Sequence, residues 1–210
     1  MKLLPVALKV EGVRVLVVGG GLVAVRKVRS LLEGGAEVSL VAPTVCADMQ
    51  TLLPSIAQYS AREYHSDDCH RIMLVFACTD NSQVNRQIAA DAQAANIWCQ
   101  MADDAGSSAL HGAAVVRRGD ICVGISTSGG SPALAKHLKT QIENCIGPEY
   151  AQLLELMSQR RDLLAQRIDQ QHARAQAWNA ILESEALSLL RAGQTETATH
   201  LIDNLLDSQR

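Results

Sequence analysis

Aromatic residues are scarce in this chain: Phe76, Trp98, Trp178, Tyr59, Tyr64 and Tyr150 make up 3% of its 210 residues. So few rings exclude an aromatic stacking platform for single-stranded nucleic acid. An excess of basic charge is missing as well. The 19 Lys and Arg residues stand against 22 Asp and Glu, a net charge of −3, which excludes the electrostatic footprint of a general DNA binder. No apolar run reaches the roughly 20 residues that span a bilayer. The start, Met1-Lys2-Leu3-Leu4-Pro5, has neither the apolar stretch nor the cleavage site of a secretory signal. The expectation is a soluble, cytoplasmic protein with no nucleic-acid or membrane partner.

Metal-ligand spacing is also lacking. The six cysteines, Cys46, Cys69, Cys78, Cys99, Cys122 and Cys145, form no CxxC pair, and no histidine cluster accompanies them. They are expected as small buried hydrophobes in a reducing compartment, with no bound metal.

What the chain has is aliphatic and alanine-rich, with 48% hydrophobic residues. Val13 to Val18 is apolar but for Arg14, as in a strand buried on both faces. Gly19-Gly20-Gly21 follows at once, and Leu22 to Glu33 carries helical spacing through Val25, Val28 and Leu32. Gly34-Gly35 ends that helix, and Glu37 to Ala42 is a second strand stopped by Pro43. The pattern repeats with a strand over Arg71 to Ala77. A capping box of Asp80 and Gln83 then opens a helix to Ala95, and Ile97 to Met101 forms another strand before Asp103-Asp104.

The pattern changes near residue 112. Ala113 to Val116 and Ile121 to Ile125 read as a hairpin around Arg117-Arg118-Gly119-Asp120. Ser131 caps a helix that begins at Pro132 and runs to about Cys145. From Glu149 onward the chain is helical, with apolar positions at Leu153, Leu154, Met157, Leu164, Ile168, Trp178, Ile181, Leu182, Leu201, Leu205 and Leu206. The expected fold class is α/β: a Rossmann-like parallel-sheet domain over 1–112, a hairpin-and-helix dimerisation segment over 113–147, and a small all-α domain over 148–210. The last two have little core of their own, so their apolar faces call for a second copy of the chain.

Three groups carry candidate chemistry. Gly19-Gly20-Gly21-Leu22-Val23-Ala24 fits G-x-G-x-x-A in its proper context, after a buried strand and opening a helix. Gly19 makes the turn, Gly21 admits a pyrophosphate, and Ala24 allows close packing, with free N–H groups and the helix dipole facing the anion. About 20 residues on, where an acid would hold the ribose 2′-OH, stands Val41-Ala42-Pro43-Thr44, without an Arg for a 2′-phosphate; the lean is to NAD. Asp103 and Asp104 end a strand at the carboxyl edge of the sheet, where a carboxylate can act as general base, although Asp-Asp-Ala-Gly is also a good turn. Ser126 to Pro132 is a second small-residue loop before a helix, with Arg117, Arg118, Lys136, His137 and Lys139 nearby in sequence. Together these fit a polyanionic ligand.

Val18 to Lys27, reading Val-Gly-Gly-Gly-x-Val-Ala-x-Arg-Lys, resembles the opening of precorrin-2 dehydrogenases. So do Gly35-Ala36-x-Val38, Val41-Ala42-Pro43, Ala77-x-Thr79-Asp80 with Asn85, and Val115 to Asp120. The stretch Ile125-Ser126-Thr127-Ser128-Gly129-x-Ser131-Pro132-Ala133-Leu134-Ala135 is similar too, in the same order. The resemblance covers about residues 1 to 145. It implies NAD-dependent oxidation of precorrin-2 to sirohydrochlorin by a homodimer, followed in many members by insertion of Fe²⁺ (Co²⁺ in an assay) to give siroheme. It further implies Asp103 as the catalytic carboxylate, with Asp104 the adjacent alternative. Cofactor contacts would fall at Gly19, Gly21, Leu22, Val23, Pro43, Thr44 and Thr79, and substrate contacts at Arg117, Ser126, Thr127, Ser128 and Lys136. Two segments depart from the family, Gln100-Met101-Ala102 and Ala109-Leu110-His111-Gly112-Ala113. They leave open a dehydrogenase without chelatase activity, and a non-catalytic NAD sensor is the rival from another class.

Overall fold

The computed structural model describes residues 3–104, 106 and 108–208. The chain divides into two compact units, Met1–Gly112 and Ala113–Arg210.

The first unit is a five-stranded parallel sheet that runs, from edge to edge, through β3 (Gln58–Ser60), β2 (Glu37–Val41), β1 (Arg14–Val18), β4 (Leu74–Ala77) and β5 (Trp98–Met101). Its central strand, β1 (Arg14–Val18), pairs with β2 (Glu37–Val41) on one side and β4 (Leu74–Ala77) on the other, Val15 lying level with Val38 and Leu74. Successive side chains alternate across the sheet, so both faces become core. Val15, Val17, Val38, Leu40, Leu74 and Phe76 pack under α1 (Leu22–Glu33). Leu16, Val18, Val41, Val75, Ala77 and Cys99 pack under α3 (Ser82–Ala94) through Ile88 and Ala92. Each βα connection therefore delivers its loop to the carboxyl edge of the sheet.

The structure adds two elements and changes two local expectations. Between β2 and β4 the chain forms a short α2 (Ala47–Gln50) and a short edge strand, β3 (Gln58–Ser60), which is too brief to show a period-two pattern. The strand expected from Arg71 starts only at Leu74, because Arg71 turns the chain at φ +59° and Met73 is 43% exposed. Asp80 does not cap α3. Asn81 does, its side-chain oxygen accepting from the N–H groups of Gln83 at 2.9 Å and Val84 at 3.3 Å.

In the second unit β6 (Ala114–Arg118) and β7 (Ile121–Ile125) form an antiparallel pair, turned at Gly119 with φ +55°. Ser131 caps α4 (Pro132–Cys145) by accepting from Leu134 N–H at 3.1 Å. Five further helices follow: α5 (Glu149–Gln159), α6 (Arg161–Arg167), α7 (Gln171–Glu183), α8 (Ala186–Arg191) and α9 (Thr195–Asp207). Leu153, Leu164, Ile181, Leu190, Ile202 and Leu206 make their core. The cysteines split by location. Cys69, Cys78 and Cys99 are buried, whereas Cys46 is half-buried and Cys122 and Cys145 are exposed, contrary to expectation. Cys122 falls on the outward register of the two-stranded sheet, and Cys145 ends α4. Among the described residues no helix is long and apolar enough to cross a membrane.

Candidate functional site

The turn after β1 is built by two glycines that admit no side chain. Gly19 has φ +117°, and a Cβ there would collide with the carbonyl oxygen of Cys78 at the end of β4. A Cβ on Gly20 would strike the carbonyl oxygen of Thr44 beyond β2. Gly21 differs: it is the N-cap of α1 and has nothing within 4 Å of its would-be Cβ. No side chain caps α1 either, so its first-turn N–H groups have no side-chain acceptor, in contrast to the Asn81-capped α3. An uncapped twelve-residue helix with an open glycine at its mouth fits a pyrophosphate. Ala24, fully buried, lets α1 lie close to the sheet.

In front of this turn lies a cleft of about 730 Å³. Gly19, Gly21, Pro43, Thr44 and Thr79, all expected at a cofactor, line it. Leu22 and Val23 do not line it; their side chains are 65% and 36% exposed at the start of α1. The cleft also takes in Arg62, Glu63 and Tyr64, which follow β3. Sequence reasoning missed these three because it missed β3. Their signal was faint, a Tyr between polar residues just past Ile56.

At the other end of the sheet edge stands Asp103, two residues past β5 (Trp98–Met101) and exposed. A fully buried amide holds it. Asn85 donates from Nδ2 to Asp103 Oδ1 at 3.1 Å and to the Thr79 carbonyl at 3.0 Å. Its Oδ1 accepts from Thr79 N–H at 3.2 Å and from Thr79 Oγ1 at 2.7 Å. All four hydrogen-bonding positions of that amide are thus used. One buried side chain ties the loop after β4 to the carboxylate after β5. Asp104 instead closes the turn that follows. Its Oδ1 accepts from Gly106 N–H at 2.8 Å, and its carbonyl accepts from Ser108 Oγ at 2.8 Å.

Lys27, on α1, reaches across the sheet face that α1 covers. Its Nζ donates to Gln100 Oε1 at 2.9 Å and lies 5.5 Å from the centre of the Phe76 ring. Burial pushes its pKa down, a trend the neighbouring Cys78 opposes and Arg26 reinforces. Burial likewise pushes the Cys78 thiol up to about 11. His111 is half-buried. Among the described residues no group of three or more His, Cys, Asp or Glu side chains is placed to hold a metal ion.

The remaining candidates belong to the second unit. Arg117 and Lys136 are exposed. Arg118 is committed to structure, donating to the carbonyls of Ile146 at 2.8 Å and Glu143 at 3.1 Å at the end of α4. In the Ser126–Pro132 loop, Ser128 N–H donates to Ser126 Oγ, Gly130 N–H to the Thr127 carbonyl, and Ser131 N–H to Thr127 Oγ1. Three backbone donors expected to cradle an anion are already taken, and the Thr127 hydroxyl donates to the Ser131 carbonyl at 3.1 Å, which leaves the hydroxyls of Ser126 and Ser128 as the polar face of this loop.

A parallel sheet whose glycine turn and uncapped helix open on a cleft at its carboxyl edge defines a dinucleotide-binding domain. The chain belongs to the family described as putative NAD(P)-binding, whose model matches residues 6–113. Residues 149–206 match a second model, described as the sirohaem synthase dimerisation region. The chain is 32% identical to a siroheme synthase of Pseudoalteromonas translucida over 210 residues, all of this chain and 44% of that protein. It is 33% identical to a siroheme synthase of Gluconobacter oxydans over 211 residues, 98% of this chain and 45% of that protein. It thus spans less than half the length of these relatives. Among solved structures, a protein titled SirC, precorrin-2 dehydrogenase, superposes with a TM-score of 0.75 over 96% of this chain and 100% of that one, at 23% identity. That likeness is one of fold.

Proposed function

We propose that this chain is an NAD-dependent precorrin-2 dehydrogenase, which oxidises precorrin-2 to sirohydrochlorin and acts as a homodimer. The observation that carries the reading is Asp103. It is an exposed carboxylate beyond β5, fixed by a fully buried amide, and it lies across β1 from the ends of β2 and β3 that flank the cleft. In open parallel sheets the adenosine half of a dinucleotide lies beside the strand that follows the glycine turn. The nicotinamide half then falls toward β4 and β5.

When bound, NAD⁺ supplies the hydride acceptor. The chain's own groups do the rest. The turn at Gly19 to Gly21 and the first N–H groups of α1 hold the pyrophosphate, with Leu22 and Val23 contributing through the backbone. Pro43, Thr44 and Thr79 border the adenosine and the bridge between the two halves. Asp103 takes the proton that leaves the tetrapyrrole as its hydride departs. Asn85 occupies Oδ1, so Oδ2 receives that proton. Asp104 is spent on its own turn and is the weaker candidate for this role.

Arg117 and Lys136, with Ser126, Thr127 and Ser128, are proposed contacts for the carboxylates of the substrate. Fe²⁺ or Co²⁺ insertion into sirohydrochlorin is a second activity of this proposal, with Asp103 accepting a pyrrole proton. Similarity to siroheme synthases supports the substrate class, and the fold shared with a precorrin-2 dehydrogenase accords with it. A two-stranded sheet is too small to stand alone, which supports a second copy in the assembly. Six free cysteines accord with a reducing, cytoplasmic setting.

The test is direct. Pure protein incubated with precorrin-2 and NAD⁺ should form sirohydrochlorin, followed by its absorbance. Asp103→Asn should lower kcat by about 10²–10⁴-fold while leaving NAD binding intact. Product formation that is independent of NAD⁺, or unaffected by Asp103→Asn, would overturn the reading. Binding of NAD without any turnover would favour the sensor, and addition of Fe²⁺ or Co²⁺ to sirohydrochlorin separates chelation from oxidation.

A further inference from the structure

The ribose-holding acid that dinucleotide-binding sheets carry at the end of β2 is absent here, where Ala42-Pro43-Thr44 stands. The structure brings another strand to the same place. Edge strand β3 pairs in parallel with β2, Ser39 level with Gln58 and Val41 with Ser60, and so runs out to the same edge of the sheet. Just beyond it, Arg62 and Glu63 line the cleft together with Pro43 and Thr44.

The charges of that pair are not equivalent. Arg62 is locked: Nη1 donates to Asp68 Oδ2 at 2.9 Å and Nη2 to Asp68 Oδ1 at 2.5 Å, and Nη1 also donates to the Glu63 carbonyl at 2.8 Å. Its fork faces a carboxylate already and its charge is neutralised in place. Glu63 is exposed, and among the described residues its carboxylate has no ion pair and no hydrogen bond. One other carboxylate, Asp80, lines the opposite wall at the approach to α3.

We propose that Glu63 is the specificity residue of the cofactor site: it accepts hydrogen bonds from the adenosine ribose hydroxyls and repels a 2′-phosphate, so the chain takes NAD and refuses NADP. This rests on the dinucleotide reading above and adds the group that makes the choice. The role normally filled after β2 has moved one strand outward, and the neighbouring Arg62, which would otherwise welcome a phosphate, is held by Asp68.

The experiment measures binding of NADH and NADPH to the full chain by cofactor fluorescence, for wild type, Glu63→Gln and Asp80→Asn. Wild type should bind NADH at least about tenfold more tightly than NADPH, the worth of one charge-assisted hydrogen bond. Glu63→Gln should close that gap to a few-fold, with NADPH binding gained as NADH binding weakens, while Asp80→Asn keeps the wild-type ratio. An unchanged ratio in Glu63→Gln overturns the proposal. So does an Asp80→Asn ratio that falls as far, since the preference would then come from net negative charge alone. Wild type binding both cofactors equally, or NADPH better, overturns it too and leaves the dinucleotide reading standing. Binding of neither would overturn both.

Discussion

Asn85 joins two loops at the sheet edge through one fully buried side chain. A fully buried amide is stable only when its donors and acceptors are met, and here Thr79 meets three of them and Asp103 the fourth. The same side chain is thus a structural tie and, on the proposed reading of Asp103, a positioning residue. Asn85→Ala should strand the Thr79 N–H and cost about 1–3 kcal/mol of stability, measured by urea unfolding. It should also lower kcat more than it raises the KM for NAD⁺, because Asp103 loses its orientation while the glycine turn is untouched. A variant destabilised to that degree with full kcat would remove Asn85 from the mechanism and leave it a packing residue. Asp103 itself is exposed, so Asp103→Asn is expected to change rate without changing stability.

At the scale of elements, the glycine turn separates what folding needs from what the ligand needs. Gly19 combines φ +117° with a clash against Cys78, and Gly20 abuts Thr44, so Gly19→Ala should destabilise the domain. Gly21 sits at φ −87° and ψ −176°, extended backbone that alanine adopts freely, with empty space beyond. Gly21→Ala should therefore keep stability within about 0.5 kcal/mol of wild type. On the proposed cofactor site, its methyl group would still occupy the path of the pyrophosphate and weaken NADH binding. Thermal unfolding and a cofactor titration on the two variants check both halves.

This turn was legible in the sequence because two strong signals coincide there, a run of buried β-branched residues and glycines at fixed spacing. Leu22–Glu33 appears in the structure with the bounds its periodicity predicts. The edge strand Gln58–Ser60 was not legible: three residues, none of them buried, carry no period, and only pairing with β2 makes them a strand. With β3 went the wall formed by Arg62, Glu63 and Tyr64. The cap of α3 was misplaced by one residue for a different reason. Asp80 and Asn81 are both good caps, and the choice between them is made by Thr79, whose Oγ1 accepts from Asn81 N–H at 3.2 Å.

For the whole molecule, acid stability is set by carboxylates that the fold pairs with arginines. In the first unit, the Arg62 guanidinium beside Asp68 holds its carboxyl below the usual carboxylate range. In the second, Arg191 does the same for Glu149, which sits buried at the start of α5, and Arg160 for Asp203 on α9. A carboxylate whose folded pKa is depressed stabilises the fold at every pH above its unfolded value. That contribution is lost as pH falls through the lower, folded value. All three therefore act in one direction: stability should hold down to about pH 4–5 and decline below it. Glu149→Gln isolates one of them. It keeps the shape and a hydrogen-bonding oxygen for Arg191 but removes the titrating proton, so stability near pH 7 should drop modestly while the slope between about pH 5 and pH 2 becomes shallower. Urea midpoints measured across that interval, for wild type and Glu149→Gln, give the difference. Parallel curves for the two proteins would mean that Glu149 titrates alike in the folded and unfolded chains, and that its pairing with Arg191 adds nothing to acid resistance.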